Sequence, residues 1–438
     1  MPRRKAESKI TKSIQRSKAE VSAAGSELHH LNLGPGEALE KEWQAAGLTL
    51  PNLPQMREYR LQRVVDQLNK MGYDGALLFD PMNIRYVTDS TNMQLWVMHN
   101  NSRYVWVGAD GSVVLWDYVE CEFLSAHNPL IKDVRPAVNT IFFLAGTRYA
   151  EKTDAWAADV YSVIERHAGR KPRIAIDQCC YLGYKALEGF GVRIESGQEM
   201  MEYARAIKSP DEVNAMKCAV HACEASMDDM WRAFQPGMTE RELWSILHAG
   251  NIKRAGEWIE TQLLCSGPRT NPWMQEASSR VIQEGDVVAY DTDLIGAYGM
   301  LVDISRSWVA GSVSPSPSQQ ATYDMARQQV ELNAELLTAG RSFKELSDLA
   351  WFPAVEDYRH YGMLYHGAGQ CDEYPEIPFP HNWESAGFDG ELESGMVLTS
   401  EAYVGPRAGG EGIKLEQQYL VTENGPELLS HYPMDFVR

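Results

Sequence analysis

Cysteine is scarce and irregular in these 438 residues. There are seven (Cys121, Cys179, Cys180, Cys218, Cys223, Cys265 and Cys371), an odd number without the paired spacing of a zinc finger. A small disulfide-stapled fold is excluded, and the cysteine usage fits a reducing compartment. Long apolar runs are lacking too. No stretch approaches the roughly 18 residues that cross a bilayer, so no membrane partner is expected. The N-terminus carries Arg3, Arg4, Lys5, Lys9, Lys12, Arg16 and Lys18, but polar sequence rather than an apolar segment follows, so it does not read as a secretory signal. A cytoplasmic location is the expectation. Positive charge is in deficit: 41 Lys and Arg stand against 60 Asp and Glu, a formal charge of −19. Such a chain repels a polyanion, which excludes nucleic acid as an expected partner and favours small or cationic ligands.

Apolar residues make up 44% and charged residues 23% of the chain, near the globular average, and the length suits two or three domains. Residues 1–50, broken at Gly25 and at Gly34-Pro35-Gly36, read as an N-terminal extension or arm. From Pro54, apolar residues at Leu61, Val64, Val65, Leu68 and Met71 repeat at helical spacing until Gly72, and Ala76-Leu77-Leu78-Phe79 then starts a buried strand. Apolar runs at Tyr104–Val107, Val113–Trp116 and Arg173–Asp177 alternate with helical stretches such as Thr153–His167, an α/β pattern that defines a first domain over residues 51–205. Ser209-Pro210-Asp211-Glu212 carries a capping box and predicts a long helix. Behind it Val213, Met216, Val220, Cys223, Met227, Met230 and Phe234 form one apolar stripe, read as core. Thr239 and Glu242 offer a second capping box.

The chemistry gathers in residues 206–438. Gly285–Asp293 reads as a turn and a strand, with Asp291 and Asp293 two apart and hence on one face. Two carboxylates on one face of an apolar strand repel each other unless water, a proton or a cation intervenes, so a metal is the physical expectation. Asp303, His366, Glu401 and Glu416 follow in order, the acidic ones at the ends of apolar, strand-like runs.

This ordered set of Asp, Asp, His, Glu and Glu donors resembles the pita-bread metallopeptidase superfamily of methionine aminopeptidase, aminopeptidase P, prolidase and creatinase. The stretch Asp80-Pro81-Met82-Asn83-Ile84-Arg85-Tyr86 resembles the N-terminal domain of its creatinase-like branch. The resemblance implies an α+β protein: a creatinase-like N-terminal α/β domain followed by a pita-bread metal-binding domain. It also implies two divalent metal ions, with Asp303 and Glu416 bridging and terminal ligation from Asp291, Asp293, His366 and Glu401. Iron is favoured over manganese, zinc or cobalt for the branch it most resembles.

Three departures from the peptidase pattern carry the functional expectation. The Asp-x-Gly step of the peptidases is here Asp291-Thr292-Asp293. Their second His, ahead of Glu and Pro, is here Asp372 in Asp372-Glu373-Tyr374-Pro375. A further His before the metal strand is missing, and Trp273 stands about where it belongs. The combination resembles the branch of the superfamily that cleaves dimethylsulfoniopropionate, a sulfonium carboxylate, to dimethyl sulfide and acrylate. It implies β-elimination with Asp372 as the base; an Xaa-Pro aminopeptidase or dipeptidase is the alternative. A sulfonium cation is attracted to aromatic ring faces, and Tyr361, Trp96 and Trp273 are the expected contacts. Creatinase-like relatives pair as homodimers, in which Trp96 would reach the site of the other subunit.

Overall fold

The computed structural model describes residues 34–437; the basic stretch, and the arm read over residues 1–50 as far as residue 33, lie outside the described residues. The chain divides into two compact units, one of residues 52–205 and one of residues 34–51 together with 206–437.

In the first unit, six strands form a mixed sheet in the order β4-β3-β2-β1-β5-β6. They are β1 Gly75–Leu78, β2 Tyr104–Gly108, β3 Val113–Asp117, β4 Asp133–Pro136, β5 Arg173–Ile176 and β6 Arg193–Ser196. β2 runs antiparallel to β1 and β3, and the β1–β5, β5–β6 and β3–β4 pairs are parallel. Successive side chains of a strand point to opposite faces, and here both faces are covered. Ala76, Leu78, Val105, Val107, Val113 and Leu115 pack with Val64 and Leu68 of the helix Leu53–Met71. Leu77, Phe79, Tyr104, Trp106, Val114 and Trp116 pack with Trp156, Val160 and Ile164 of the helix Tyr149–Ala168. That double burial is why these strands read as continuous apolar runs rather than alternating ones. The helix Leu53–Met71 starts at Asn52, whose side chain accepts from Gln55 N at 3.3 Å, and ends at Gly72 with φ 67°. Asp80, read in the sequence only as part of a motif, caps the helix Pro81–Thr88 by accepting from Met82 N at 2.7 Å.

The second unit holds β7 Trp258–Ile259, β8 Leu264–Ser266, β9 Val287–Tyr290, β10 Leu294–Ile295, β11 Leu301–Val302 and β12 Arg306–Val309, which form two three-stranded sheets, β11-β10-β7 and β12-β9-β8. The remaining strands are β13 Tyr358–Arg359, β14 Met363–Ala368, β15 Asp372–Pro378, β16 Val397–Pro406, β17 Ile413–Thr422 and β18 Gly425–Leu428. They form an antiparallel sheet in the order β15-β14-β16-β17-β18, with β13 beside β16. The helix Pro317–Ala334 covers one face of β16 and β17, where Tyr323, Ala326 and Val330 meet Ala402, Val404, Ile413 and Leu415. By the strand period, Glu401 on β16 and Lys414 and Glu416 on β17 then point to the opposite face. The helix Gly36–Ala45 also belongs to this unit, with Trp43 buried 5.9 Å from the Tyr298 ring.

Both capping boxes form. Ser209 Oγ accepts from Glu212 N at 3.2 Å while Glu212 Oε2 accepts from Ser209 N at 2.9 Å, and Thr239 and Glu242 repeat the exchange. Along the helix Pro210–Ala233 the stripe from Val213 to Met230 is buried, while Phe234 leaves the helix as its C-terminal cap. Replacing a capping Ser by Ala costs about 1 kcal/mol. Ser209→Ala is therefore expected to lower the urea midpoint of the transition that unfolds this unit, and an unchanged midpoint contradicts the capping role.

Candidate metal centre

Two short links and three long strands of the second unit bring the donors together. Asp291 and Asp293 lie between β9 and β10, and Asp303 directly follows β11. His366 sits on β14, while Glu401 and Glu416 are direct cross-strand partners on β16 and β17. All six are buried. Thr292, between the two aspartates, fixes the first link to the second: its hydroxyl donates to Val302 O and accepts from Ile304 N, each at 2.9 Å. Asp293 has φ 37°, in the left-handed region that favours glycine, which aspartate tolerates better than most residues. The peptidase pattern has glycine in this register. Here the position carries a carboxylate, which accepts from the Thr261 hydroxyl at 2.5 Å.

Donor atoms of Asp303, His366 and Glu416 lie within 4.8 Å of one another, and so do those of Asp291, Asp293 and Asp303. Asp303 is common to both triads. His366 Nε2 stands 3.2 Å from Glu416 Oε1 and 3.5 Å from Asp303 Oδ2, and its Nδ1 is 3.5 Å from Asp372 Oδ1. Asp372 opens β15 opposite Ala368, with 56% of its side chain exposed where the six donors are enclosed.

Lys414, which sequence reasoning missed, reaches into the middle of this set. Its Nζ lies 2.9 Å from Asp291 Oδ2, 2.7 Å from Glu401 Oε2 and 2.8 Å from Glu416 Oε2. The available signal was its place two residues before Glu416 on a strand, which puts both on one face. Ser305, two residues after Asp303, was missed likewise; its Oγ is 2.7 Å from Asp291 Oδ1 and 2.8 Å from Glu416 Oε2.

The electrostatics are those of crowded carboxylates. Burial and the Glu416 and Asp291 charges raise the Asp303 pKa well above the usual carboxylate range, and burial and Asp291 do the same to Asp293. Burial lifts Glu401 to about 7 against the pull of Lys414. Burial opposes the charge on Lys414, but Asp291, Glu401 and Glu416 outweigh it and hold the ammonium well above its ordinary value. Glu416 goes the other way: burial raises it, but Lys414 and His366 together bring it below the ordinary value. Partial burial raises Asp372; His366 opposes that rise, and Glu416 and Asp291 add to it.

These residues fit a pair of divalent cations. Asp303 Oδ1 and Glu401 Oε1 are buried without a hydrogen-bond partner among the described residues, and a buried carboxylate oxygen in that state is costly unless a proton or cation meets it. Five donor carboxylates and one ammonium leave a net charge that two divalent ions would neutralise. Oxygen donors with one imidazole accept iron, manganese, zinc or cobalt.

Of the expected aromatic contacts, Tyr361 is half-buried with its ring centroid 5.7 Å from Lys414 Nζ. It joins a small apolar cluster with Trp273, Cys265, Ala289 and Tyr403. Trp273 is buried there, stacked on Tyr403 at 6.1 Å. Trp96 belongs to the first unit, on the short helix Gln94–His99, and packs on Tyr118 at 6.1 Å.

The creatinase/prolidase N-terminal domain profile matches residues 60–207 and that of metallopeptidase family M24 matches residues 214–423. The chain is 45% identical over 413 residues to dimethylsulfoniopropionate lyase DddP of Roseovarius nubinhibens, covering 93% of each chain. It is 41% identical to the protein of the same name from Roseobacter denitrificans, covering 97% of each. Among solved structures, an Xaa-Pro dipeptidase from Bacillus anthracis aligns with a TM-score of 0.70 at 21% identity, covering 87% of this chain and 99% of that one. The prolidase of Pyrococcus horikoshii aligns at 0.69 and 19%, covering 86% and 99%. The architecture is thus a creatinase-type N-terminal domain followed by a pita-bread domain. Within that superfamily, the chain belongs to the DddP family.

The hairpin that joins His366 to Asp372 tolerates no side chain at Gly367, where a Cβ would come within 2.5 Å of the carbonyl oxygens of Glu373 and Tyr374. Gly367→Ala forces β15 away from β14. The expected outcome is a melting temperature lowered by several degrees, as for an overpacked core substitution of about 1–3 kcal/mol; an unchanged melting curve contradicts this packing.

Proposed function

We propose that this protein is a metal-dependent carbon–sulfur lyase that cleaves dimethylsulfoniopropionate to dimethyl sulfide and acrylate by β-elimination, with Asp372 as the base. The observation that carries the reading is a half-exposed carboxylate, Asp372, beside a buried six-donor cluster, 3.5 Å from His366. The names of the two relatives that match nearly the whole chain support it. In this reading residues 206–438 are the catalytic domain, residues 51–205 the creatinase-like domain and residues 1–50 an extension. Asp291, Asp293, Asp303, His366, Glu401 and Glu416 hold two divalent ions, iron favoured. When bound, such a pair supplies Lewis acidity toward a substrate carboxylate and the negative charge that develops next to it.

The protein's own groups do the rest. Asp372 takes the proton from the carbon next to the carboxylate, the electron pair forms the double bond, and the carbon–sulfur bond breaks. Dimethyl sulfide leaves neutral, so no acid has to protonate the leaving group. His366 Nδ1 hydrogen-bonds Gly367 O at 3.2 Å and stands 3.5 Å from Asp372 on the open side of the cluster. The face of Tyr361 attracts the sulfonium cation, worth about 0.5–2 kcal/mol, with Trp273 behind it in the same apolar cluster. Trp96 acts as a further wall in a homodimer, supplied by the other subunit, and the enzyme works in the cytoplasm.

The test is headspace gas chromatography for dimethyl sulfide, with acrylate by liquid chromatography, run in parallel with Xaa-Pro peptides. Equal amounts of sulfide and acrylate with intact peptides are expected; cleaved peptides without sulfide overturn the lyase reading in favour of a dipeptidase. Asp372→Asn is expected to lose turnover by at least about 100-fold, the usual scale of a general base, with metal content by mass spectrometry unchanged. Asp303→Asn is expected to lose metal and turnover together. Tyr361→Ala is expected to raise KM about 2- to 30-fold, the equivalent of its cation–π contribution.

A further inference from the structure

The carboxylate assigned above as the base stands beside the cluster without being tied to it. Asp372 Oδ1 is 3.5 Å from His366 Nδ1, but that nitrogen donates to Gly367 O at 3.2 Å, so the imidazole is committed to the backbone. Asp372 is the first residue of β15, with 56% of its side chain exposed, and it takes its position from the strand that carries it.

What holds that strand lies on its other face. Successive residues of a strand point to opposite faces, and Glu373, next to Asp372, turns into the protein, where its carboxylate pairs with Lys208. The Lys208 side chain is 3% exposed and that of Glu373 0%. Lys208 is itself anchored. Its backbone N–H donates to Gly395 O at 2.9 Å, its Nζ donates to Ala206 O at 3.3 Å, and the next residue, Ser209, caps the helix Pro210–Ala233. The hairpin is shaped around the same carboxylate. A Cβ on Gly369, between β14 and β15, would come within 2.0 Å of Glu373 Oε1, and Gly369 O accepts from Leu301 N at 2.8 Å, two residues before Asp303. Glu373 also lies opposite Gly367, the neighbour of His366. One buried ion pair therefore joins the start of a long helix to the hairpin between His366 and Asp372. Stability does not account for it, because desolvation of two buried charges offsets much of their attraction, and apolar side chains of similar volume often serve a core as well.

We propose that Lys208 and Glu373 are positioning residues for Asp372: their ion pair sets the β14–β15 hairpin so that the carboxylate reaches the carbon-bound proton of a substrate held at the cluster. The inference rests on the lyase reading for what Asp372 does, and on the hairpin geometry for what the pair holds.

The experiment uses the metal-loaded, full-length protein. Removing one partner leaves the other charge buried and unpaired, so the deciding variant is the double substitution Lys208→Met with Glu373→Met. Its kcat for dimethyl sulfide release is expected to fall about tenfold, within the roughly 100-fold that a misplacement of about 1 Å costs, with KM, metal content and melting temperature unchanged. A double variant with the wild-type kcat overturns the proposal, and so does one that fails to fold or loses metal, since the pair then serves the fold as a whole. Hydrogen exchange followed by mass spectrometry reads the hairpin without reference to turnover. Faster exchange over residues 369–374 in the double variant, with β16 and β17 unchanged, is expected; unchanged exchange over the hairpin overturns the proposal. Wild-type protein that releases no dimethyl sulfide overturns the lyase reading instead, and the exchange result still decides whether the pair holds the hairpin.

Discussion

Concentrated negative charge in the middle of a β-sheet is the constraint on which the second unit depends. Asp291, Asp303, Glu401 and Glu416 are each nearly inaccessible to solvent, and carboxylates this close cannot all stay ionised without compensation. Among the described residues, the lysine counter-charge is Lys414, which touches three of them. The fold also supplies the Ser305 hydroxyl to Asp291 Oδ1 and the Thr261 hydroxyl to Asp293, oxygens that the lysine does not touch. The remaining charge is what suits the site to divalent cations. A buried cluster of this kind costs stability when empty and is stabilised by the ions it takes up.

The surrounding architecture holds those charges apart from solvent and in register with one another. β16 and β17 pair without interruption over eight positions, from Val397 to Val404, so Glu401 and Glu416 face each other with a separation set by the sheet rather than by flexible side chains. Their other face is closed by the helix Pro317–Ala334. The β14–β15 hairpin is different, with register shifts between Met363 and Tyr365 and between His366 and Gly367. Irregularity of this kind re-aims side chains, and here it sets His366 inside the cluster and Asp372 at its open side. Beneath the hairpin, Lys208 pairs with Glu373, whose carboxylate occupies the space that a Gly369 side chain would need.

Cleavage of a sulfonium carboxylate asks less of a protein than peptide hydrolysis does. The leaving group departs uncharged, so the histidines that hold an amide and shuttle protons in the peptidases have no counterpart task. On the proposed reading, Asp372 in place of one of them and the absence of the other match that simpler demand. On the same reading, Tyr361, which packs with Trp273 and Tyr403, is the aromatic contact for a soft cation.

Much of this was legible in the sequence because it is local. Capping boxes at Ser209 and Thr239, the stop at Gly72 and the apolar stripe from Val213 to Met230 are consequences of neighbours a few residues apart, and the family resemblance rested on donor types in a fixed order. The structure added what depends on residues distant in the chain. That Lys414 sits among the donors follows from strand alternation, but that it touches Asp291 depends on how β9 and β17 are brought together. Asp293 read as a strand residue; its positive φ comes from the turn between β9 and β10 that Thr292 ties to Val302 and Ile304. Chemical type and local conformation are written in sequence because they are short-range. Burial, and with it the charge balance of the site, was decided only by tertiary structure, because desolvation and electrostatic coupling depend on every group that folding gathers around a side chain.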